Sequence, residues 1–118
     1  MQWVGFSGSW RKINKDIEDK IRKAVREEIN KGNGIVSGGA LNADYVALDE
    51  ALKTNPLADK IKIFLPTTLK VYANHYRKHA KLGDITQEQA GNLINQLETL
   101  RKISPSALME NPDWKSYI

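Results

Sequence analysis

The sequence predicts an α/β domain: a Rossmann-like three-layer fold with a short parallel sheet in the order βαβαβ and a helical C-terminal third. Short β-branched or aromatic runs at residues 2–6, 34–37 and 60–65 each stop at glycine, serine or proline. Stretches with apolar residues at helical spacing separate them. Connections of that length suit parallel strands joined by right-handed crossovers, because antiparallel hairpins need only a few residues.

The first strand, residues 2–6, contains Trp3, Val4 and Phe6 and runs into Gly5-Phe6-Ser7-Gly8-Ser9. A helix follows from Asn14, its expected N-cap, with Ile17, Ile21, Ala24, Val25 and Ile29 on one face and Gly32 as its stop. Gly34-Ile35-Val36-Ser37 is the buried second strand, and Leu41, Tyr45, Leu48 and Leu52 mark a second helix. The third strand, Lys60-Ile61-Lys62-Ile63-Phe64-Leu65, is stopped by Pro66.

Beyond Pro66 the pattern is helical. Leu69, Tyr72, Ala73, Tyr76 and Ala80 define one helix ended by Gly83, and Thr86-Gln87-Glu88-Gln89 forms a capping box for another carrying Ala90, Leu93, Ile94, Leu97 and Leu100. Residues 104–112 read as a connection or a short helical turn, and no convincing strand follows Leu65. The whole of 1–118 is expected as one domain, with a nucleotide-binding core over 1–66 and a helical part over 67–118, either reduced or the amino-terminal portion of something longer.

Composition narrows the chemistry. With 118 residues, 41% hydrophobic and 27% charged, the chain has the make-up of an ordinary globular domain. It has no cysteine, which excludes a thiol nucleophile, a disulfide framework and a cysteine-zinc site. No segment approaches the roughly 20 apolar residues of a membrane span, and Met1 to Phe6 lacks the features of a secretion signal, so a soluble cytoplasmic protein without a membrane partner is expected. The formal charge of +4 is spread over helix faces among acids, the usual pattern of a solvated surface.

In a parallel α/β sheet, ligands sit at the carboxyl ends of the strands. Both glycine-serine turns, Gly5 to Ser9 and Ser37-Gly38-Gly39-Ala40, fall there. Glycine lets the backbone approach a ligand, and the amides at the following helix start attract anions. Neither turn matches the full dinucleotide fingerprint or the P-loop. Either turn alone reads as well as a tight connection; two after successive strands point to a phosphate site. Asp44, in the first turn of the second helix, suits either helix-end stabilisation or a contact with ribose hydroxyls. Trp10 is placed to stack on a base or to be partly buried, and Arg11 is a candidate phosphate clamp.

The residues Val4-Gly5-Phe6-Ser7-Gly8-Ser9 and Ile35-Val36-Ser37-Gly38-Gly39-Ala40-Leu41-Asn42-Ala43-Asp44, followed by Ala47, resemble the SLOG superfamily. That superfamily includes the DNA-processing protein A family and the "Lonely guy" phosphoribohydrolases. The resemblance covers residues 2–66. It implies a nucleotide-related ligand held by Gly8, Ser9, Gly38, Gly39 and Ala40, with Asp44 near the site. The later Arg-Asn element of related domains is absent, as is the Pro-Gly-Gly-x-Gly-Thr-x-x-Glu motif that carries the phosphoribohydrolase glutamate.

The ligand-binding set is therefore Gly8, Ser9, Trp10, Arg11, Ser37, Gly38, Gly39, Ala40 and Asp44. Asp44 is also the best local carboxylate for the alternative of an enzyme acting on the N-glycosidic bond of a nucleotide. Binding of single-stranded DNA is a further alternative, drawn from the resemblance and the positive charge. Asp49 and Glu50, on the second helix, read as solvated surface. His75 and His79 share a helix face at metal-binding spacing, but the adjacent Arg77 and Lys78 disfavour a cation, and neither a metal nor a resident cofactor is expected. Tyr72 and Tyr76 read as helix-packing residues that also lie within reach of the carboxyl-end crevice, as does Arg77. The first strand is left with an unpaired edge, which dimerisation, a C-terminal extension or a helical cover would protect.

Overall fold

The computed structural model of the chain describes residues 1–8 and 12–112. The elements run β1 (Trp3–Phe6), α1 (Lys15–Asn30), β2 (Gly34–Gly38), α2 (Ala43–Thr54), β3 (Ile61–Phe64), α3 (Leu69–Leu82), α4 (Gln87–Ile103), a 3-10 turn (Pro105–Ala107) and β4 (Leu108–Met109). The strands form one sheet in the order β1-β2-β3-β4, with every neighbouring pair parallel. Strand direction and helix interleaving are those of the Rossmann-like α/β class. No described helix is long and apolar enough to cross a membrane.

The helix ends follow local chemistry. Asn14 Oδ1 accepts the Ile17 amide at 2.8 Å, and Thr68 Oγ1 accepts that of Val71 at 3.3 Å. At α4 the capping box closes in both directions: Gln89 N donates to Thr86 Oγ1 at 3.0 Å, and Thr86 N donates to Gln89 Oε1 at 2.9 Å. Gly83, at φ 83°, ends α3 in the left-handed conformation that glycine adopts without strain. Asn42, which precedes α2, also has a left-handed φ of 66°, and its side chain does not cap the helix.

The C-terminal third departs from expectation. Residues 104–112 hold a 3-10 turn and a fourth strand, so this part is not wholly helical and the sheet has four strands, not three. A two-residue strand is too short for alternation to reveal it; tertiary bonds define it. Leu108 is buried, and Leu65 N donates to Met109 O at 2.9 Å. Glu110 Oε2 then accepts the Leu69 amide at 2.7 Å, tying the strand end to the start of α3.

Register divides the sheet into two faces. Ile35, Ile61, Ile63 and Leu108 are buried and join one core with Val25, Ile29, Leu48, Leu93, Leu97 and Leu100. Tyr72 and Tyr76 belong to this core, which bears out their reading as packing residues. The opposite face carries Trp3, Val36, Lys62, Phe64 and Met109, and it stays accessible: Phe64 is 51% exposed.

Helices α1 and α2 are clasped by charge as well as by apolar packing. Arg22 donates from Nε to Glu18 at 3.1 Å and from Nη1 to Asp49 at 2.7 Å and Glu50 at 3.1 Å. Arg26 Nη1 reaches the other Glu50 oxygen at 3.1 Å. Glu50 is thus buried and doubly paired, in contrast to its reading as solvated surface. Two cations from α1 make that burial tolerable.

Truncating Leu108 tests whether β4 belongs to the cooperative fold. Leu108→Ala removes a buried side chain and is expected to cost about 2 kcal/mol in urea denaturation, the low end of the usual range for a short edge strand.

Candidate functional site

The described parts of the two turns meet at the carboxyl end of the sheet, as their placement after β1 and β2 requires. Asp44 joins them. Its Oδ2 accepts the Ala40 amide at 3.3 Å, its Oδ1 lies 3.1 Å from Ser37 Oγ, and the nearby Gly8 amide favours the charged carboxylate. Ser37 Oγ lies 2.6 Å from the carbonyl oxygen of Phe6, so one hydroxyl bridges the end of β1 and the start of α2. Burial pushes the Asp44 carboxyl above its ordinary range, and the Ala40 amide, the Ser37 hydroxyl and the Gly8 amide only partly offset this.

The glycines serve packing at this junction. A Cβ on Gly39 would stand 2.5 Å from Leu65 Cδ2 and 3.3 Å from a Tyr72 ring carbon, and one on Gly38 would stand 2.8 Å from Asp44 Oδ2. A Cβ on Gly8 would lie 3.0 Å from Ala43 Cβ. Gly8, Ser37, Gly38, Gly39, Ala40 and Asp44 are therefore brought together. Ser9, Trp10 and Arg11 lie outside the described residues.

A cavity of about 280 Å³ opens directly beyond the second turn. Leu41, Asn42, Tyr45 and Val46 form its floor, Lys12, Ile13, Glu18 and Arg22 one wall, and Gln89 and Asn92 of α4 the other. A second depression of about 510 Å³ shares Lys12, Leu41, Asn42 and Gln89 and extends towards Asp84 and Thr86. Asp44 lines neither, so its carboxylate braces the turns from behind.

Arg22 is a cation fixed in this cavity by three carboxylates, of which Glu18 also lines it. Partial burial opposes its charged form, but hydrogen bonds to Asp49, Glu18 and Glu50 outweigh that and hold it more firmly protonated than a free arginine. These bonds use Nε and Nη1; no described residue engages Nη2. Burial raises the Tyr45 hydroxyl above its ordinary value, keeping the phenol neutral beside the cavity.

Sequence reasoning missed Lys12, Arg22, Tyr45, Gln89 and Asn92 as wall residues. Glu18, Arg22 and Arg26 stand at i, i+4 spacing, a legible sign of a charged helix stripe but not of a cavity. Contact of α4 with α2, where Gln96 Nε2 donates to Tyr45 O at 2.9 Å, is a tertiary fact with no local signature.

His75 and His79 do pack together, with ring centroids 4.5 Å apart, and His79 Nδ1 lies 2.7 Å from Asp84 Oδ2. Burial, His79 and Lys78 together push the His75 imidazole below its ordinary value. Among the described residues no group of three or more His, Cys, Asp or Glu side chains is placed to hold a metal ion. Arg77 is exposed and bonds Asn74 at 3.2 Å.

No protein-family model, curated protein or solved structure matches the chain.

The raised Asp44 carboxyl has a signed consequence. The folded state holds this proton at pH values where the unfolded chain has lost it, so stability falls as pH rises from the ordinary carboxylate range through the higher folded value. Asp44→Asn removes that titration. In denaturation across a pH series, the stability advantage of the wild type over Asp44→Asn is expected to shrink as pH rises through this window.

Proposed function

We propose that the domain binds a nucleotide or nucleotide-derived molecule in the cavity beyond the Ser37-Gly38-Gly39-Ala40 turn, with the phosphate towards the start of α2. One observation carries the reading: the glycine turn, the start of α2 and the cations Arg22 and Lys12 converge on one cavity. Helix-start amides and guanidinium donors are the groups that hold phosphate oxygens. Tyr45 offers a ring against which a base stacks, and Gln89 and Asn92 offer amides for its edge.

The likeness of the two turns to SLOG domains supports the same ligand class. It shifts in detail here, because Asp44 and the core side chains occupy much of the space around the glycines, and the ligand lies one step further along the chain, over Leu41 and Asn42. A cysteine-free chain is compatible with the cytoplasm, where nucleotides are abundant.

Titration calorimetry with nucleoside monophosphates, cyclic nucleotides and ADP-ribose tests the proposal. At least one is expected to bind, and Lys12→Glu to weaken it about tenfold or more, the effect of reversing one charged contact. Lys12 is exposed, so a circular dichroism spectrum like that of the wild type is expected. No heat from any ligand with folded protein would end the proposal, and undiminished binding by Lys12→Glu would move the ligand out of this cavity.

A further inference from the structure

Helix α3 carries the whole charge imbalance of the chain. The sequence holds 18 lysines and arginines against 14 acids. Four of those cations, Lys70, Arg77, Lys78 and Lys81, lie on α3, which contains no acid, so the rest of the chain is balanced. The positive charge is therefore concentrated on one helix, which corrects its reading from composition as spread among acids. On α1 and α2 every lysine and arginine pairs with a carboxylate, as on an ordinary solvated face. None of the four cations of α3 forms an ion pair with a described residue, and Arg77 bonds the neutral Asn74 amide at 3.2 Å. The acids at the helix ends are held elsewhere: Asp84 Oδ2 lies 2.7 Å from His79 Nδ1, and Glu110 Oε2 accepts the Leu69 amide at 2.7 Å.

These cations line up. At about 100° per residue, Lys70, Asn74, Arg77 and Lys81 fall within about 60° of one another, with Lys78 beside them. All five are exposed, and the stripe runs about 17 Å along the helix axis.

The rest of the helix selects the polyanion. A helix that lies on a membrane sinks an apolar stripe into the lipid, whereas Leu69, Tyr72, Ala73, Tyr76 and Ala80 are buried within the domain. A single strand of nucleic acid is held by aromatic rings stacked on its bases, and the aromatic rings of α3, Tyr72 and Tyr76, belong to the core. A duplex keeps its bases inside and presents phosphates, one per 3.4 Å or so on each strand, so a length of about 17 Å offers about five to the four cations.

We propose that the exposed stripe of α3 binds the phosphate backbone of a double-stranded nucleic acid without reading its sequence. None of the four cations lines the cavity beside α2 or the depression next to it, so this contact is independent of the nucleotide reading.

Fluorescence anisotropy of the full chain with labelled DNA and RNA duplexes of one sequence tests this. At least one duplex is expected to bind, and the tighter of the two names the source of the backbone. Four neutralised phosphates give a slope of log affinity against log salt of about −3.6, a loss of about 150-fold between about 50 and 200 mM. Lys70→Gln and Lys81→Gln are each expected to weaken binding and flatten the slope by about one. Lys20→Gln removes the same net charge from the paired surface of α1 and is expected to change neither quantity. All three side chains are exposed, so melting temperatures near that of the wild type are expected. The proposal is overturned if neither duplex binds, if binding does not respond to salt, or if Lys20→Gln weakens it as much as Lys81→Gln does. An oligothymidine that binds more tightly than either duplex would assign the stripe to a single strand, and a polyglutamate peptide that does so would assign it to an acidic protein; either result also overturns it.

Discussion

The carboxylate of Asp44 is the constraint on which the ligand-facing edge of the domain depends. It stands in the first turn of α2 and gathers Gly8 from the loop after β1, Ala40 from the loop after β2, and Ser37 from the end of β2 itself. The Ala40 amide finds its partner there in a tight junction, and the Ser37 hydroxyl links the carboxylate to the Phe6 carbonyl. A single buried carboxyl therefore sets the distance between two loops that no backbone ladder joins. It also favours glycine at positions 38 and 8, where Asp44 and α2 leave little room for a Cβ.

With the turns held from behind, the ligand-accessible surface moves forward along the chain. The cavity wall is built from α1, α2, the residues that lead into them, and α4, which lies far along the chain from both. Arg22 belongs to two systems at once. Through Nε and Nη1 it is part of the ion cluster that clasps α1 to α2, and through its place in the wall it is part of the cavity. A charge held this rigidly pre-organises a binding site, because its side-chain entropy is already lost when the ligand arrives.

Much of this was legible in the sequence. Asn14, Thr86 and Gly83 mark helix boundaries that depend on neighbours within a few residues, and the structure places caps at each. The β-branched runs of β2 and β3 and the helical spacing between them define the class for the same reason. β4 escaped because two residues have no period and owe their conformation to Leu65 and Leu69, about 40 positions upstream. Glu50 was misread because its two arginine partners lie on another helix. At the site, the turns and Asp44 could be placed from spacing along the chain, whereas Tyr45, Gln89 and Asn92 enter only through the packing of α4 on α2.

The sheet order β1-β2-β3-β4 has a consequence for how the molecule comes into being. Each strand pairs with the one synthesised before it, so the order in space is the order in time. As the chain emerges, every new strand meets a finished edge, and no early strand waits for a distant partner. The exception is the last step. β4 must reach back across α3 and α4 to β3, and Glu110 then caps the helix whose start lies beside it. Completion of this sheet and fixing of α3 are thus one event, which makes β4 the latch on strands otherwise assembled in sequence.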